Sequence, residues 1–522
     1  MAEQLGPISR RDFIQGAVAG AIAGAAGIQI SRGAPRKRPP NILLIISDEH
    51  NAGVMGCYGN TTVQTPHLDR LSRQGITFDC AYTNSPLCCP SRLSLTSGKY
   101  ISRVGAWSND SWLPRDGIAT LPRIMTAAGY ESILCGKMHY DPKRSYGFRE
   151  IGGSLNNYFK SGRTPRRHPD DRRVNRAMGR ARFSTFQVAN NSEVMQHDRT
   201  VVHSAKSFLA KRRPTDRPFF LLTGFLAPHF PLTVPLEFWL PYQGRIPQPK
   251  LPPGHVQAQP LNYHHLRRGF GVVNVDPRIV RRGRELYYGL THWVDGQIGH
   301  VLKALDDSPL APDTVVIYAS DHGENMGEHA LWWKNCMYDH AARVPLIISW
   351  PARWKGGQRR TGVCSLVDLV QTVAELGGAR CPGDWDGDSM VAWMDDETAK
   401  WKDFAVSEYY AHNITSGFVM LRAGSYKYVY HTPADKDHPS ERELYNLRDD
   451  PGEFVNLAGR PEHRDRVAAM HAALIKELGE NPDETDRRCR VDLAKGYDRP
   501  PSDRPPVGQA SPAAGTWPPP RP

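Results

Sequence analysis

The chain has 522 residues, of which 40% are hydrophobic and 23% charged, and a formal net charge of +12. That length supports a large core, arranged as two domains or as one large domain with a small one. The composition excludes collagenous and wholly disordered chains, and beyond the N-terminus no apolar run is long enough to span a bilayer.

The first segment reads as an address, not as fold. Ser9-Arg10-Arg11-Asp12-Phe13-Ile14 sets paired arginines before a weakly hydrophobic, Gly/Ala-rich run to Ile30, and Ala23-Gly24-Ala25 offers a small-residue cleavage site. Residues 1–30 are expected to be a twin-arginine export signal in preference to a helix of the fold or a membrane anchor. The expected location is periplasmic or extracellular, with the twin-arginine translocase as a partner. Residues 31–40 form a basic, Pro-containing linker.

Asn41–Ile46 is a continuous apolar run, as expected of a strand buried on both faces. Thr65-Pro66 then opens a helix through Gln74, and Gly75 ends it. Further strands are expected at Ser132–Leu134, Phe219–Thr223, Thr314–Ala319 and Leu346–Ser349, with helices at Asp198–Arg212 and Val280–Leu305. This alternation predicts an α/β fold, a large mainly parallel sheet flanked by helices, over residues 41–395. From Asp403 the texture changes. Phe404–Tyr410 and Phe418–Tyr430, bending at Gly424-Ser425, read as antiparallel strands, and a helix follows over Pro461–Leu478. Residues 396–490 are expected to form a smaller C-terminal α+β subdomain, and 491–522 a disordered, Pro-rich tail.

The nine cysteines show no CxxC spacing, so a zinc ribbon is not expected; one or two disulfides are, with at least one thiol left over. Cys88 and Cys89 are adjacent and pair poorly with each other, so each has its own role. Lys160–Arg182 carries nine Lys/Arg against Asp170 and Asp171. It reads first as a solvated surface insertion and second as an attractant for an anionic polymer. Without interleaved aromatic residues it does not read as a nucleic-acid module.

Ligands of open parallel sheets bind beyond the carboxyl ends of the strands. Four predicted strands run into polar groups there: Asp48-Glu49-His50, Lys137-Met138-His139, Pro228-His229 and Asp321-His322. Each alone has a mild structural explanation, such as a helix cap; four at one edge do not. Asp48, Glu49 and Asp321 are hard oxygen ligands suited to Ca²⁺ or Mg²⁺, and His322 adds a nitrogen that also admits Mn²⁺. Arg92, Lys137, His139, His229 and Lys334 add positive charge or donors. A divalent metal among several cations suits a small tetrahedral oxyanion.

Cys88-Cys89-Pro90-Ser91-Arg92 resembles the C-x-P-S-R signature of the sulfatase family, within the alkaline-phosphatase-like superfamily. Only a register starting at Cys88 puts Pro and Arg at the required offsets. Leu95–Tyr100 continues the signature, with Ser97 where the family usually has Thr. The resemblance extends to Asn41–Asp48, Thr65–Leu71, Gly136–His139, Asp321–Glu324 with Gly327–His329 and Trp333-Lys334, and Glu443–Glu453. Two positions depart from the pattern. Glu49 stands where Asp is common, and His322 replaces an Asn found in many members. The His form also occurs in relatives acting on phosphonate or phosphate diesters.

The resemblance implies a sulfuric-ester hydrolase in which Cys88 is oxidised to formylglycine by a formylglycine-generating enzyme. The hydrated aldehyde would attack sulfur through one hydroxyl. Deprotonation of the other, by His139, would then release sulfate and restore the aldehyde. Arg92 and Lys137 would support that centre, and Lys137, His229 and Lys334 would contact the sulfate. Asp48, Glu49, Cys88, Asp321 and His322 would surround the metal, Ca²⁺ first with Mg²⁺ and Mn²⁺ as alternatives. Cys89 is expected to pack, Trp332-Trp333 to be either core or a sugar platform, and Trp107 and Asn109 to line the substrate side. The expected substrate is an aryl or, physiologically, a carbohydrate sulfate. The competing readings are a phosphonate monoesterase or phosphodiesterase on the same scaffold, and a non-catalytic binder of sulfated polysaccharide.

Overall fold

The computed structural model describes residues 38–113, 118–141, 144–153, 155–156 and 182–495. The expected export signal, the expected tail beyond 495 and the basic stretch up to 181 lie outside the described residues. Among the described residues no helix is long and apolar enough to cross a membrane.

The strands are β1 (Asn41–Asp48), β2 (Ile76–Tyr82), β3 (Glu131–Gly136), β4 (Arg149–Glu150), β5 (Gln187–Val188), β6 (Phe219–Pro228), β7 (Thr233–Val234), β8 (Thr314–Ser320), β9 (Leu346–Ser349), β10 (Gln358–Ser365), β11 (Phe404–Tyr409), β12 (Phe418–Ala423), β13 (Tyr426–His431) and β14 (Glu441–Asn446). Eight of them build one sheet in the order β10-β2-β9-β8-β1-β6-β3-β4. Every neighbouring pair is parallel except those of β9, which runs against both β2 and β8.

All eight residues of β1 are buried, and their alternation divides two cores. Ile42, Leu44 and Ile46 face the layer holding the helices Cys88–Ser97 and Leu366–Leu376. Leu43 and Ile45 face the helices Glu193–Ala210 and Pro277–Asp306. Helices on both faces explain why the central strands read as unbroken apolar runs. The strands β2 and β10 escaped the sequence reading because their polar residues interrupt the apolar pattern, Asp79 in one and Gln358 to Thr361 in the other.

The C-terminal strands form a separate antiparallel sheet in the order β11-β12-β13-β14. The expected bend at Gly424-Ser425 is a two-residue hairpin turn, with Gly424 at φ 51. The Glu443–Glu453 motif is structural. Glu443 accepts hydrogen bonds from His431 Nε2 at 2.8 Å and the Tyr445 hydroxyl at 2.6 Å. Glu453 accepts from the Asp339 amide and buried Lys427, both at 2.6 Å. The helix Pro482–Lys495 runs past residue 491, where a disordered tail was expected to start, because Asp492 accepts a 2.9 Å hydrogen bond from Trp107 Nε1.

Glu408 on β11 joins this sheet to the short helix Ile101–Val104. Its carboxyl accepts from the Ser102 amide and hydroxyl at 3.2 and 3.1 Å and from the Tyr410 hydroxyl at 3.3 Å. Burial pushes it up to about 7 from an ordinary 4.5. The folded protein therefore holds a proton that the unfolded chain loses near 4.5. This stabilisation is complete below the unfolded value and disappears as pH rises through 7. Glu408→Gln is expected to flatten the fall in urea midpoint between pH 5 and pH 8, relative to the parent.

All nine cysteines are unpaired, contrary to the expected one or two disulfides. They are distributed among different packing layers, with Cys135 in one core and Cys364 in another.

Candidate active site

Four adjacent strands, β8-β1-β6-β3, end at one edge of the sheet, and their carboxyl ends deliver Asp321-His322, Asp48-Glu49, His229 and Lys137 in turn. The last step depends on two glycines. A Cβ on Gly224 would fall 2.1 Å from the Lys137 carbonyl oxygen, and one on Gly136 2.1 Å from the Gly224 oxygen. Bare backbone here lets Lys137 approach β6, where its amide donates to Gly224 at 2.9 Å.

Cys88 is the first residue of the buried helix Cys88–Ser97, where the free N–H groups and the helix dipole favour negative charge. Asn109 supplies one cap, its Oδ1 accepting from the Cys89 amide at 3.0 Å. Cys89 turns away and donates to the Ser111 carbonyl at 3.2 Å, as a packing residue. Ser91 donates to the Asp321 carbonyl at 2.8 Å. Ser97, in place of Thr, donates to Leu93 O at 2.8 Å, a bond that needs only a hydroxyl.

Arg92, fully buried, holds three partners at once. Nε donates to Asp321 Oδ2 at 2.7 Å, Nη1 to the Lys137 carbonyl at 2.6 Å and Nη2 to Asp48 Oδ2 at 3.0 Å. Lys137 Nζ also reaches Asp48 Oδ2, at 2.5 Å. Burial works against the Asp48 charge, yet Lys137, His229 and Arg92 keep its carboxyl well below the usual range. Burial likewise would raise the Cys88 thiol, but Lys334, Lys137 and His322 outweigh it and hold the thiol well below its ordinary value. The position is built for an anion.

Ligand atoms of Asp48, Cys88, Asp321 and His322 lie within 4.8 Å of one another. His322 Nδ1 pairs with the Gly323 carbonyl at 3.0 Å, which aims Nε2 at Cys88 Sγ, 3.1 Å away. Burial disfavours a charged imidazole, but Asp321 prevails and raises His322 to about 9. Two carboxylates, a thiol and an imidazole oriented by a carbonyl fit a divalent cation. Glu49 belongs to a second group, with Asp48 and His229. Its backbone turns at φ 66, and Oε2 meets Lys334 Nζ at 2.8 Å and His229 Nε2 at 3.2 Å. Burial pushes Glu49 up to about 8, and Oε1 is buried without a donor, a position a cation can satisfy.

His139, at φ 59, is buried and kept low by burial, so it is neutral at physiological pH. Asn156 secures its segment: its carbonyl accepts from the His139 amide at 2.8 Å, and its side chain from the Tyr140 amide at 3.0 Å. His229 is also lowered by burial, and its Nδ1 pairs with Phe230 O at 2.6 Å. Lys334 remains charged, because Cys88 and Glu49 overcome the effect of burial.

The structure thus gathers all ten expected site residues at one edge. It corrects one further expectation. Trp107 does not line the substrate side; it is fully buried, edge-on to Tyr410 at 5.2 Å. Asn109 is the helix cap described above. Trp332 and Trp333 are both buried in an aromatic cluster with Val272. Sequence reasoning missed Asn156, Tyr287, whose hydroxyl donates to the Glu49 carbonyl at 2.5 Å, and Arg182. Tyr287 carried no signal within a long amphipathic helix, and Arg182 was hidden among nine basic residues.

A mostly parallel sheet with a cluster of buried charged groups at its strand ends, and a separate antiparallel C-terminal sheet, make up an alkaline-phosphatase-like fold. Residues 40–379 match the Sulfatase family, and residues 327–480 match the N-sulphoglucosamine sulphohydrolase C-terminal family. The chain belongs to the sulfatase family and is a sulfatase enzyme. It is 27% identical over 497 residues to an arylsulfatase of Clostridium perfringens, covering 88% of this chain and 98% of the relative. In fold it resembles BT4656, solved with its substrate D-glucosamine-2-N,6-O-disulfate, with TM-score 0.69, 22% identity and coverage of 86% and 100%. It also resembles the phosphonate monoester hydrolase of Agrobacterium radiobacter, with TM-score 0.68, 20% identity and coverage of 84% and 95%.

Proposed function

We propose that this chain is an exported hydrolase of carbohydrate sulfate esters that works through formylglycine derived from Cys88. The observation that carries this reading is the field at Cys88: burial opposes an anion there, and Lys334, Lys137 and His322 nonetheless favour one. Asp48, Asp321 and His322 would hold Ca²⁺, Mg²⁺ or Mn²⁺, which would acidify a hydroxyl of hydrated formylglycine at residue 88 for attack on sulfur and draw charge from the sulfate. The chain's own residues do the rest. Arg92 locks Asp48 and Asp321 in place. Lys137 and Lys334 offer cationic donors to the sulfate from two sides, and neutral His139 accepts a proton beside residue 88. His229, beside Lys334 and Glu49, serves the departing alcohol. Maturation would involve a formylglycine-generating enzyme and the twin-arginine translocase acting on residues 1–30. Carbohydrate is favoured over aryl sulfate as the physiological substrate by the expected export and by the likeness to BT4656.

A phosphonate or phosphodiester substrate is a second reading, favoured by His322 in place of the more usual Asn. A panel of aryl sulfates, sugar sulfates, phenylphosphonate esters and phosphodiesters decides between them, using protein co-produced with a formylglycine-generating enzyme. The expected result is sulfate release with higher kcat/KM than any phosphorus ester. Faster turnover of phosphonates or phosphodiesters, with residue 88 an aldehyde by mass, would replace the sulfatase reading with the second.

The metal makes a separate prediction. Adding Ca²⁺ at about 100 times its Kd to chelator-treated protein is expected to raise stability by about 2.7 kcal/mol, read as a higher melting temperature. Asp321→Asn is expected to weaken Ca²⁺ binding at least about tenfold. An unchanged melting temperature in parent protein with Ca²⁺, Mg²⁺ and Mn²⁺ would refute this metal assignment.

A further inference from the structure

Beside the site stands a cation that the chemistry above does not use. The Arg182 guanidinium carbon lies 4.1 Å from the ring centre of Phe230, 4.6 Å from that of Trp333 and 5.9 Å from that of Phe270. Phe230 directly follows His229, and their rings pack at a 30° tilt with centres 4.0 Å apart. Trp333 directly precedes Lys334, and Lys334 Nζ lies 5.4 Å from the Phe230 ring centre. Arg182 is therefore built onto the wall that carries His229 and Lys334, away from the Asp48–Arg92–Asp321 floor.

This arginine has no carboxylate at ion-pair distance among the described residues. The acids it feels are Glu49, Glu324 and Cys88 as thiolate, and each of the two carboxylates has one oxygen committed to other donors. Glu49 Oε2 is held by Lys334 and His229. Glu324 Oε1 accepts from the Met326 and Trp333 amides at 2.8 and 2.6 Å. Burial pulls Arg182 down to about 10, so it remains charged near neutrality. Aromatic faces compensate a desolvated cation only partly. A planar guanidinium with free N–H groups, beside the bonds that make and break, is arranged for a carboxylate or sulfate oxygen pair.

We infer that Arg182 is a specificity-determining residue that receives a second anionic group on the leaving alcohol, a carboxylate or a further sulfate. The preferred substrate would then be a polyanionic ester. A leaving group bearing a cation would be repelled, and an uncharged one would leave Arg182 unpaired. This inference rests on the sulfatase reading and specifies the substrate class of the same site.

The test compares kcat/KM for phenyl sulfate, 3-carboxyphenyl sulfate and 1,3-phenylene disulfate in parent, Arg182→Gln and Arg182→Lys. The parent is expected to prefer a dianionic ester. Arg182→Gln is expected to lower the ratio of dianionic to phenyl ester by about 10- to 100-fold, the strength of a charge-assisted contact. Arg182→Lys should recover part of it, and exposed Lys303→Gln should keep the parent ratio within about twofold. Loss on the carboxylate ester alone, or on the disulfate alone, identifies the anion. Equal losses on all three esters, or none on any, would overturn the inference. Cys88→Ala protein gives a reading independent of turnover. Calorimetry should show 3-carboxyphenyl sulfate or the disulfate binding more tightly than phenyl sulfate only when Arg182 is present. Absence of turnover in the parent with that binding difference intact would count against the sulfatase reading but not against Arg182. Equal affinities for the three esters would count against Arg182 itself.

Discussion

Cys88→Ala is expected to lower kcat for sulfate release by at least about 10³-fold, while the protein folds as the parent does. The thiol position is the point on which the site's cations converge, so removing its reactive group leaves binding and oxyanion stabilisation with no attacking atom. Stability should change little, because the side chain is small and its contacts are with ionised groups: Sγ lies 3.6 Å from Asp48 Oδ1 and 3.1 Å from His322 Nε2. Cys88→Ser separates attack from discharge. A serine oxygen in the same field can attack sulfur, but it lacks the second hydroxyl whose deprotonation expels sulfate. One equivalent of alcohol per protein should appear, without free sulfate, and intact mass should show one sulfate retained on the protein. Multiple turnovers by Cys88→Ala would refute the assignment of residue 88 as the nucleophile.

Arg92→Ala is expected to destabilise the fold by about 3–5 kcal/mol, read as a lower urea midpoint at unchanged slope. The cost arises from what is left behind. Asp48 and Asp321 are almost completely buried, and each loses a direct ion pair, while the Lys137 carbonyl loses its donor. Lys137 still neutralises Asp48, whereas Asp321 retains the amide donors of Glu49 at 3.1 Å and His322 at 3.0 Å and the His322 imidazole, whose Nε2 lies 3.6 Å from Oδ1. Arg92→Lys keeps the charge and loses the fork that reaches three partners, so an intermediate loss is expected. Ser91→Ala is the internal comparison. It removes one neutral hydrogen bond to the Asp321 carbonyl and should cost about 1 kcal/mol. An Arg92→Ala loss no larger than that of Ser91→Ala would show that the buried charges find other compensation.

Much of this site is legible in the sequence. Parallel strands buried on both faces are written as unbroken apolar runs, so their carboxyl ends, and the polar residues that follow, can be located from local pattern alone. Asp48, Lys137, His229 and Asp321 were found that way, and the C-x-P-S-R spacing set Cys88 and Arg92 on one helical face, four residues apart.

Other features depended on contacts between residues far apart in sequence. The order β8-β1-β6-β3, which turns four separate strand ends into one site, is decided by pairing across the sheet. Glu49 looked like one more metal ligand. Its left-handed backbone and the arrival of Lys334, 285 positions later, place it in a second group with Asp48 and His229. Trp107 looked exposed to substrate because it follows the signature, yet Tyr410 and Asp492 bury it from the other end of the chain. Arg182 was one charge in a basic run until Phe230, Trp333 and Phe270 enclosed it. Sequence by itself determined which chemistry was present, because strand patterning and motif spacing are local. Only the tertiary structure decided which charges meet, because desolvation and ion pairing depend on neighbours that local sequence does not specify.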